Sequence, residues 1–268
     1  MKKHALLAAS LLLSLQATYT LAADLGKATR AFDQQDYSVA LDELKPLAKE
    51  GNHDASNMLG QMYENGWGVD KDLDQAKRLY TRGANIGHLD SVNSLRGLKN
   101  KEYQKELVKV RQDAESGNAA AQNRLGVMYE FGYGVKRSPE IALDWYRKAA
   151  DKNYVAALHN IGRCYNFGTG VAQNFSEAET WYRKAAEQGH TEAMFFLGTL
   201  YSNDHGRERA YDSNIIAYAW MHNASELGNE TAAAIEKRLV MKLSESELKT
   251  AQALANDYQS RYVAPYKN

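Results

Sequence analysis

The chain has 268 residues, in which 33 Lys and Arg balance 33 Asp and Glu, and it has one cysteine, Cys164. That balance excludes a nucleic acid gripped through its phosphates and a polybasic membrane contact, since both need a basic surface. One thiol also excludes an internal disulfide, so the fold must hold by packing alone.

The first segment reads as a processing signal and not as part of the fold. Lys2 and Lys3 precede an apolar run, Ala5 to Leu15, that is shorter than the ~20 residues a membrane-spanning helix needs. Thr20-Leu21-Ala22 offers a cleavage site before Ala23. Residues 1–22 are therefore expected to be a signal peptide, and the product to be periplasmic or secreted, with no integral membrane segment.

From residue 23 to 243 the chain repeats itself. Leu125-Gly126-Val127-Met128-Tyr129, Ile161-Gly162-Arg163-Cys164-Tyr165 and Leu197-Gly198-Thr199-Leu200-Tyr201 stand at one fixed spacing, and an earlier copy begins Leu59-Gly60-Gln61-Met62-Tyr63. Such a period marks a stack of supersecondary units. Each copy reads as two helices. The Leu-Gly step and the Tyr after it share one helical face, and Gly permits close helix–helix approach. Gly132 and Gly134, like Gly66/Gly68 and Gly168/Gly170, end the first helix. The second helix begins at Asp72, Ser138-Pro139 or Asn174, all N-cap signals, and buries Trp145, Tyr146, Ala149 and Ala150 or their equivalents. Copies are placed near 25–51, 54–88, 91–117, 121–153, 157–189 and 193–228. In the third, the turn is expected to be short and without paired glycines. In the last, Ser202 to Asn214 forms a longer loop. Pro46 predicts a bend in the opening copy. Ser244-Glu245-Ser246-Glu247 is a capping box for a terminal helix to about Tyr262, so 244–268 reads as a capping helix and tail.

The pattern Leu-Gly-x-x-Tyr-x-x-Gly-x-Gly-Val, then Trp-Tyr-x-Lys-Ala-Ala, resembles the Sel-one-like repeat family of the tetratricopeptide-repeat superfamily. The resemblance implies an all-α, right-handed α-solenoid of antiparallel helix pairs that binds other proteins. It implies for an exported bacterial member an envelope adaptor, a host-interaction factor or a toxin antidote. In that superfamily the first helix of each pair lines the inner groove. Carried onto this chain, the groove residues are Asn57, Gln61 and Glu64; Asn123, Val127 and Glu130; His159, Arg163 and Asn166; and Phe195, Thr199 and Ser202. Phe196 stands beside Phe195, and either becomes an anchor if exposed.

Catalytic signals are weak by comparison. The Gly-x-Gly pairs lack the third glycine and the preceding strand of a phosphate cradle. The seven histidines show no metal spacing, and those at the turns between repeats (His53, His88, His190) read as solvated rings. Asp204-His205 marks the long loop as a minor candidate. Cys164 occupies a column held elsewhere by Met62, Met128 and Leu200, so it is expected to be buried and inert. No cofactor or metal is called for. An envelope enzyme acting on peptidoglycan or a β-lactam is the alternative, weakened because the paired cysteines of β-lactam-linked relatives are absent. A glycan-binding module is another, resting on Trp67 and Tyr133 between the loop glycines, where they are expected to reach solvent.

Overall fold

The computed structural model describes residues 23–266, so the expected signal peptide lies outside them. The described residues contain thirteen α-helices and no strand: α1 (Leu25–Asp33), α2 (Tyr37–Lys49), α3 (His53–Asn65), α4 (Leu73–Ala84), α5 (Leu89–Glu115), α6 (Ala119–Phe131), α7 (Pro139–Ala150), α8 (Val155–Phe167), α9 (Phe175–Ala186), α10 (Thr191–Ser202), α11 (Ser213–Glu226), α12 (Glu230–Val240) and α13 (Glu245–Tyr258). A π turn over Gln259–Val263 follows the last. The described chain divides into two compact units, residues 23–101 and 102–266, with the division inside α5. In each, successive helices pair and stack as in an α-solenoid.

The pairing rests on one column. At Gly60, Gly126 and Gly162, an added Cβ would lie 2.4–2.5 Å from the ring of Tyr80, Tyr146 or Tyr182 on the partner helix. Glycine there lets a fully buried tyrosine lie flat on the helix backbone. The loop glycines have a separate task. Gly132 caps α6 with φ 74°, a left-handed conformation that costs glycine nothing. Gly170 brings its backbone onto the start of α7, where a Cβ would sit 2.4 Å from the Pro139 carbonyl oxygen. Helix starts follow the expected caps: Asp72 accepts from the Gln75 N–H at 2.8 Å, Asn174 from Glu177 at 3.1 Å, and Ser244 with Glu247 completes the full capping box.

Two local features differ from the sequence reading. Residues 91–117 do not turn back on themselves: Leu89–Glu115 is one helix of 27 residues. Its stretch is rich in Lys, Glu, Gln and Leu, all strong helix formers, and its one internal glycine, Gly97, does not take a positive φ. α12 is a further helix in 229–243, capped by the Asn229 side chain. As the sequence placed it, Pro46 lies inside a helix, α2, which runs on to Lys49.

Candidate protein-binding site

In the first unit, the Tyr80 hydroxyl donates to Glu64 Oε2 at 2.9 Å, and Lys101 Nζ meets Glu64 Oε1 at 2.8 Å. In the second, the Tyr146 hydroxyl donates to Glu130 Oε2 at 2.6 Å, and Arg163 Nη2 meets the same oxygen at 2.5 Å. Each triad satisfies a tyrosine buried by the glycine column and pairs the acceptor carboxylate with a cation. Burial, then the carboxylate, pushes both hydroxyls well above the ordinary tyrosine range, so they remain donors.

These triads correct the groove assignment at several positions. Glu130 is buried and committed to Tyr146 and Arg163, so no partner can reach it directly. Asn57 is buried too. Arg163 is not a free guanidinium: it neutralises Glu130 and lies 5.5 Å above the Phe131 ring. Glu64 is likewise held by Tyr80 and Lys101, and Gln61 is half-buried beside it on α3. His159 packs among rings, 4.8 Å from His190, 5.6 Å from Tyr182 and 5.5 Å from Phe196. Its Nδ1 is buried without a partner, and burial, then His190 and Arg163, pushes its pKa down to about 3. Phe195 packs half-buried against the terminal core. Asn123 accepts from Asn160 at 2.9 Å. Val127 packs partly buried near Ile161. Ser202 turns its hydroxyl back to the Gly198 carbonyl. Asn166 and Thr199 are half-buried beside an opening, with the Thr199 hydroxyl turned back to the Phe195 carbonyl at 2.9 Å.

There a cavity of about 250 Å³ opens between the end of α8, the start of α9 and α10, walled by Asn166, Phe167, Phe175, Phe196, Thr199 and His205. Phe175 and His205 stack at 4.0 Å, so the long loop contributes a wall. The loop is pinned by buried Glu179, which accepts from the Tyr201 hydroxyl, Arg183 and the Arg207 N–H at 2.7–3.0 Å. Burial alone would raise the Glu179 pKa. The bonds from Tyr201, Arg183 and Arg207 outweigh it and hold the carboxyl below its usual range.

Phe131 and Phe167, the last residues of α6 and α8, are 48% and 59% exposed. The sequence reading passed over them, though both stand two residues after the repeat tyrosine. Conversely, Trp67 stacks on Tyr37 at 5.4 Å and Tyr133 on Tyr103 at 4.5 Å. Both are half-buried, because the glycines beside them bring the loop onto the preceding helix. Turn histidines are not merely solvated either: His190 caps α10 by accepting from the Ala193 N–H at 3.2 Å. Cys164 is 1% exposed, and burial pushes its thiol up to about 12. In the first unit, Asp54, His88 and Asp90 bring potential metal-ligand atoms within 4.8 Å of one another. Asp54 comes from the start of α3, and His88 and Asp90 from the start of α5, a juxtaposition that no linear motif reveals.

The Sel1 repeat profile matches residues 53–88, 119–154, 155–190 and 191–229, more than half of the chain. This chain belongs to the Sel1 repeat family. Residues 25–51 and 91–117 fall outside the matched repeats. A crystal structure of c5321, a protective antigen present in uropathogenic Escherichia coli strains and displaying this repeat fold, is similar at 28% identity over 89% of this chain, with a TM-score of 0.57. The chain spans about half of that protein, 54%. A Sel1 repeat protein from Oxalobacter formigenes is 24% identical over 85% of this chain and 94% of its own, with a TM-score of 0.47. A Sel1 repeat array is a scaffold for protein–protein interaction.

Proposed function

We propose that this Sel1 repeat chain is exported and binds a protein in the bacterial envelope or outside the cell, through the first-helix face of its second unit, without catalysing a reaction. An envelope adaptor, a host-interaction factor and an antidote that blocks a toxin all fit this reading. The observation that carries it is the pairing of Phe131 and Phe167. They hold the same place in consecutive copies, are half exposed, and flank the Arg163–Glu130 pair and an open cavity. Aromatic and Arg side chains around a recess are the usual anchors of protein interfaces. The enzyme alternative has one titratable wall residue in the cavity, His205, stacked on Phe175, and no second one converging on it.

The test starts from a partner crosslinked in the native envelope. A Phe131→Ala/Phe167→Ala variant keeps its fold, since exposed side chains contribute little to stability, and loses tenfold or more in affinity. A control altered at Lys148 and Lys184 on the second helices, where each ammonium lies over the neighbouring Trp145 or Trp181 ring, binds as the parent does. The opposite pattern assigns binding to the other face. Export is checked separately, by the amino-terminal residue and location of the mature protein in the native host.

A further inference from the structure

At the helix starts that follow the turns between copies, the residue three places after the capping position is alanine: Ala55, Ala121, Ala157, Ala193 and Ala232. At the start of α5 the same place is Ser91, which is fully buried. Its hydroxyl needs room, and the preceding helix yields it. Gly83 stands where other copies have Ala149, Ala185 and Ala224, and a Cβ there would collide with Ser91 Oγ. Two columns have changed together to admit one hydroxyl. That hydroxyl meets the ring of His88, whose Nδ1 lies 2.9 Å away.

The other nitrogen of the ring, Nε2, faces Asp54 Oδ1 at 2.9 Å. Asp90 completes a set of three donor atoms, all within 4.8 Å of one another. One imidazole proton serves one carboxylate, and Asp90 has no hydrogen-bond or ionic partner among the described residues. Neighbouring donors on a first-row divalent ion bound at ~2.1 Å stand ~3–3.5 Å apart, so small side-chain rotations close the set. Beside it, the His53 ring lies 6.1 Å from the His88 ring, and its Nδ1 is buried with no partner. Asp54 and Asp90 each offset the N-terminus of a helix. That accounts for either acid alone, but not for the histidine between them or the serine behind it. The copy with His190 in the same place gives the contrast. There Ala193 stands for Ser91 and Ala156 for Asp54, and Nδ1 accepts from the Ala193 N–H. The Ser91 N–H also faces His88 Nδ1, at 3.3 Å, but the hydroxyl beside it can turn from donor to acceptor.

We propose that Asp54, His88 and Asp90 bind one first-row divalent cation of the zinc class, with water completing its sphere. His88 coordinates through Nε2. Its proton then sits on Nδ1 and is donated to Ser91 Oγ, the support that a metal-bound histidine regularly has. Two carboxylates balance the charge of the ion, and the imidazole favours a transition metal over magnesium or calcium. The ion ties the start of α3 to the start of α5. The site lies within the first unit and does not depend on the protein-binding reading.

The intact protein, isotope-labelled and stripped of metal, is titrated by NMR with zinc, and in parallel with magnesium and calcium. Stoichiometric zinc shifts the His88, Asp90 and Ser91 resonances, fixes the His88 proton on Nδ1 and leaves His190 unmoved. A large excess of magnesium or calcium does none of this. His88→Asn keeps the helix start, because Asn52, Asn118 and Asn229 cap the same place in other copies, and it abolishes zinc binding here. Asp54→Asn and Asp90→Asn each weaken binding tenfold or more. Ser91→Ala, the residue of the other copies, keeps the fold and weakens zinc binding about tenfold. Zinc shifts no larger at His88 than at His190, magnesium or calcium bound as tightly as zinc, a His88→Asn variant that binds zinc as the parent does, or unchanged affinity in Ser91→Ala overturns the proposal.

Discussion

Tyr146 and Tyr182 are equally buried, pack on equivalent glycines and differ in what their hydroxyls meet, so removing each hydroxyl isolates one interaction. Tyr146→Phe takes the 2.6 Å donor from Glu130, a carboxylate 4% exposed whose remaining partners are the Arg163 guanidinium and no other side chain. A hydrogen bond to a charged group contributes about 1.5–3 kcal/mol, and leaving the acceptor dry keeps the loss at the upper end of that range. Tyr182→Phe removes a hydroxyl that has no carboxylate acceptor, only the uncharged Asn166 amide beside it. It gives up at most one neutral hydrogen bond and relieves a desolvated hydroxyl, so its effect on stability lies between neutral and a loss of about 1 kcal/mol. The two identical chemical changes should therefore differ by about 2–3 kcal/mol. Urea unfolding followed by helical circular dichroism reads this difference, provided the denaturant slope is unchanged between variants. A Tyr146→Phe/Glu130→Gln double-mutant cycle locates the loss in the pair. Equal losses in both single variants would refute the reasoning, because the hydroxyls would then be acting through packing and not through Glu130.

Three more outcomes follow from the same geometry. Gly126→Ala should destabilise by about 1–2 kcal/mol in urea unfolding despite alanine's better helix propensity, because its Cβ would press to 2.5 Å from the Tyr146 ring and 3.1 Å from the Ala142 carbonyl oxygen. Cys164 should react with a thiol reagent only at the rate of unfolding, and Cys164→Ala should cost about 1–2 kcal/mol as a small core truncation with binding unchanged; rapid native labelling contradicts this. His159 is held neutral in the fold, with a pKa near 3, against ~6.5 in the unfolded chain. Its contribution is complete above pH 6.5 and declines as acid protonates the unfolded state, by up to about 2 kcal/mol at pH 5. His159→Phe should flatten that part of the stability–pH curve.

The repeat was legible because it is written in residues that packing fixes. The Leu-Gly-x-x-Tyr spacing declares one helical face, and the paired glycines declare a left-handed cap followed by close backbone contact. The binding face was less legible for a physical reason. Positions that vary between copies divide into those free for a partner and those satisfying a local need, and sequence does not separate the two. Glu130 varies from Asn166, yet it is buried under Tyr146 and Arg163. Trp67 sits between glycines, yet those glycines bring it onto Tyr37. The unbroken α5 was missed because repeat periodicity suggested a turn where local propensity favoured helix throughout.

What distinguishes the copies is how each satisfies the tyrosine that its glycine admits. A buried hydroxyl must have an acceptor, and a buried carboxylate that serves as acceptor must have a cation. The first two copies meet both demands from within, with Lys101 and Arg163 reaching back to Glu64 and Glu130. Their triads are closed, which leaves nothing for a partner to complete. Where Asn166 and Thr199 replace the charged pair, Tyr182 has the uncharged Asn166 amide in the glutamate's place, and Asn166 and Thr199 line an open cavity. A Glu in place of Asn166 would therefore do two things at once. Asn166→Glu alone would bury a charge with no free cation, so it should destabilise; combined with Thr199→Arg, it should rebuild the closed triad and recover that loss. If the double variant regains stability in urea unfolding, the carboxylate and its cation act as one unit that can be moved from copy to copy. If it stays as unstable as Asn166→Glu alone, the Glu–Arg pair is not what closes the earlier copies.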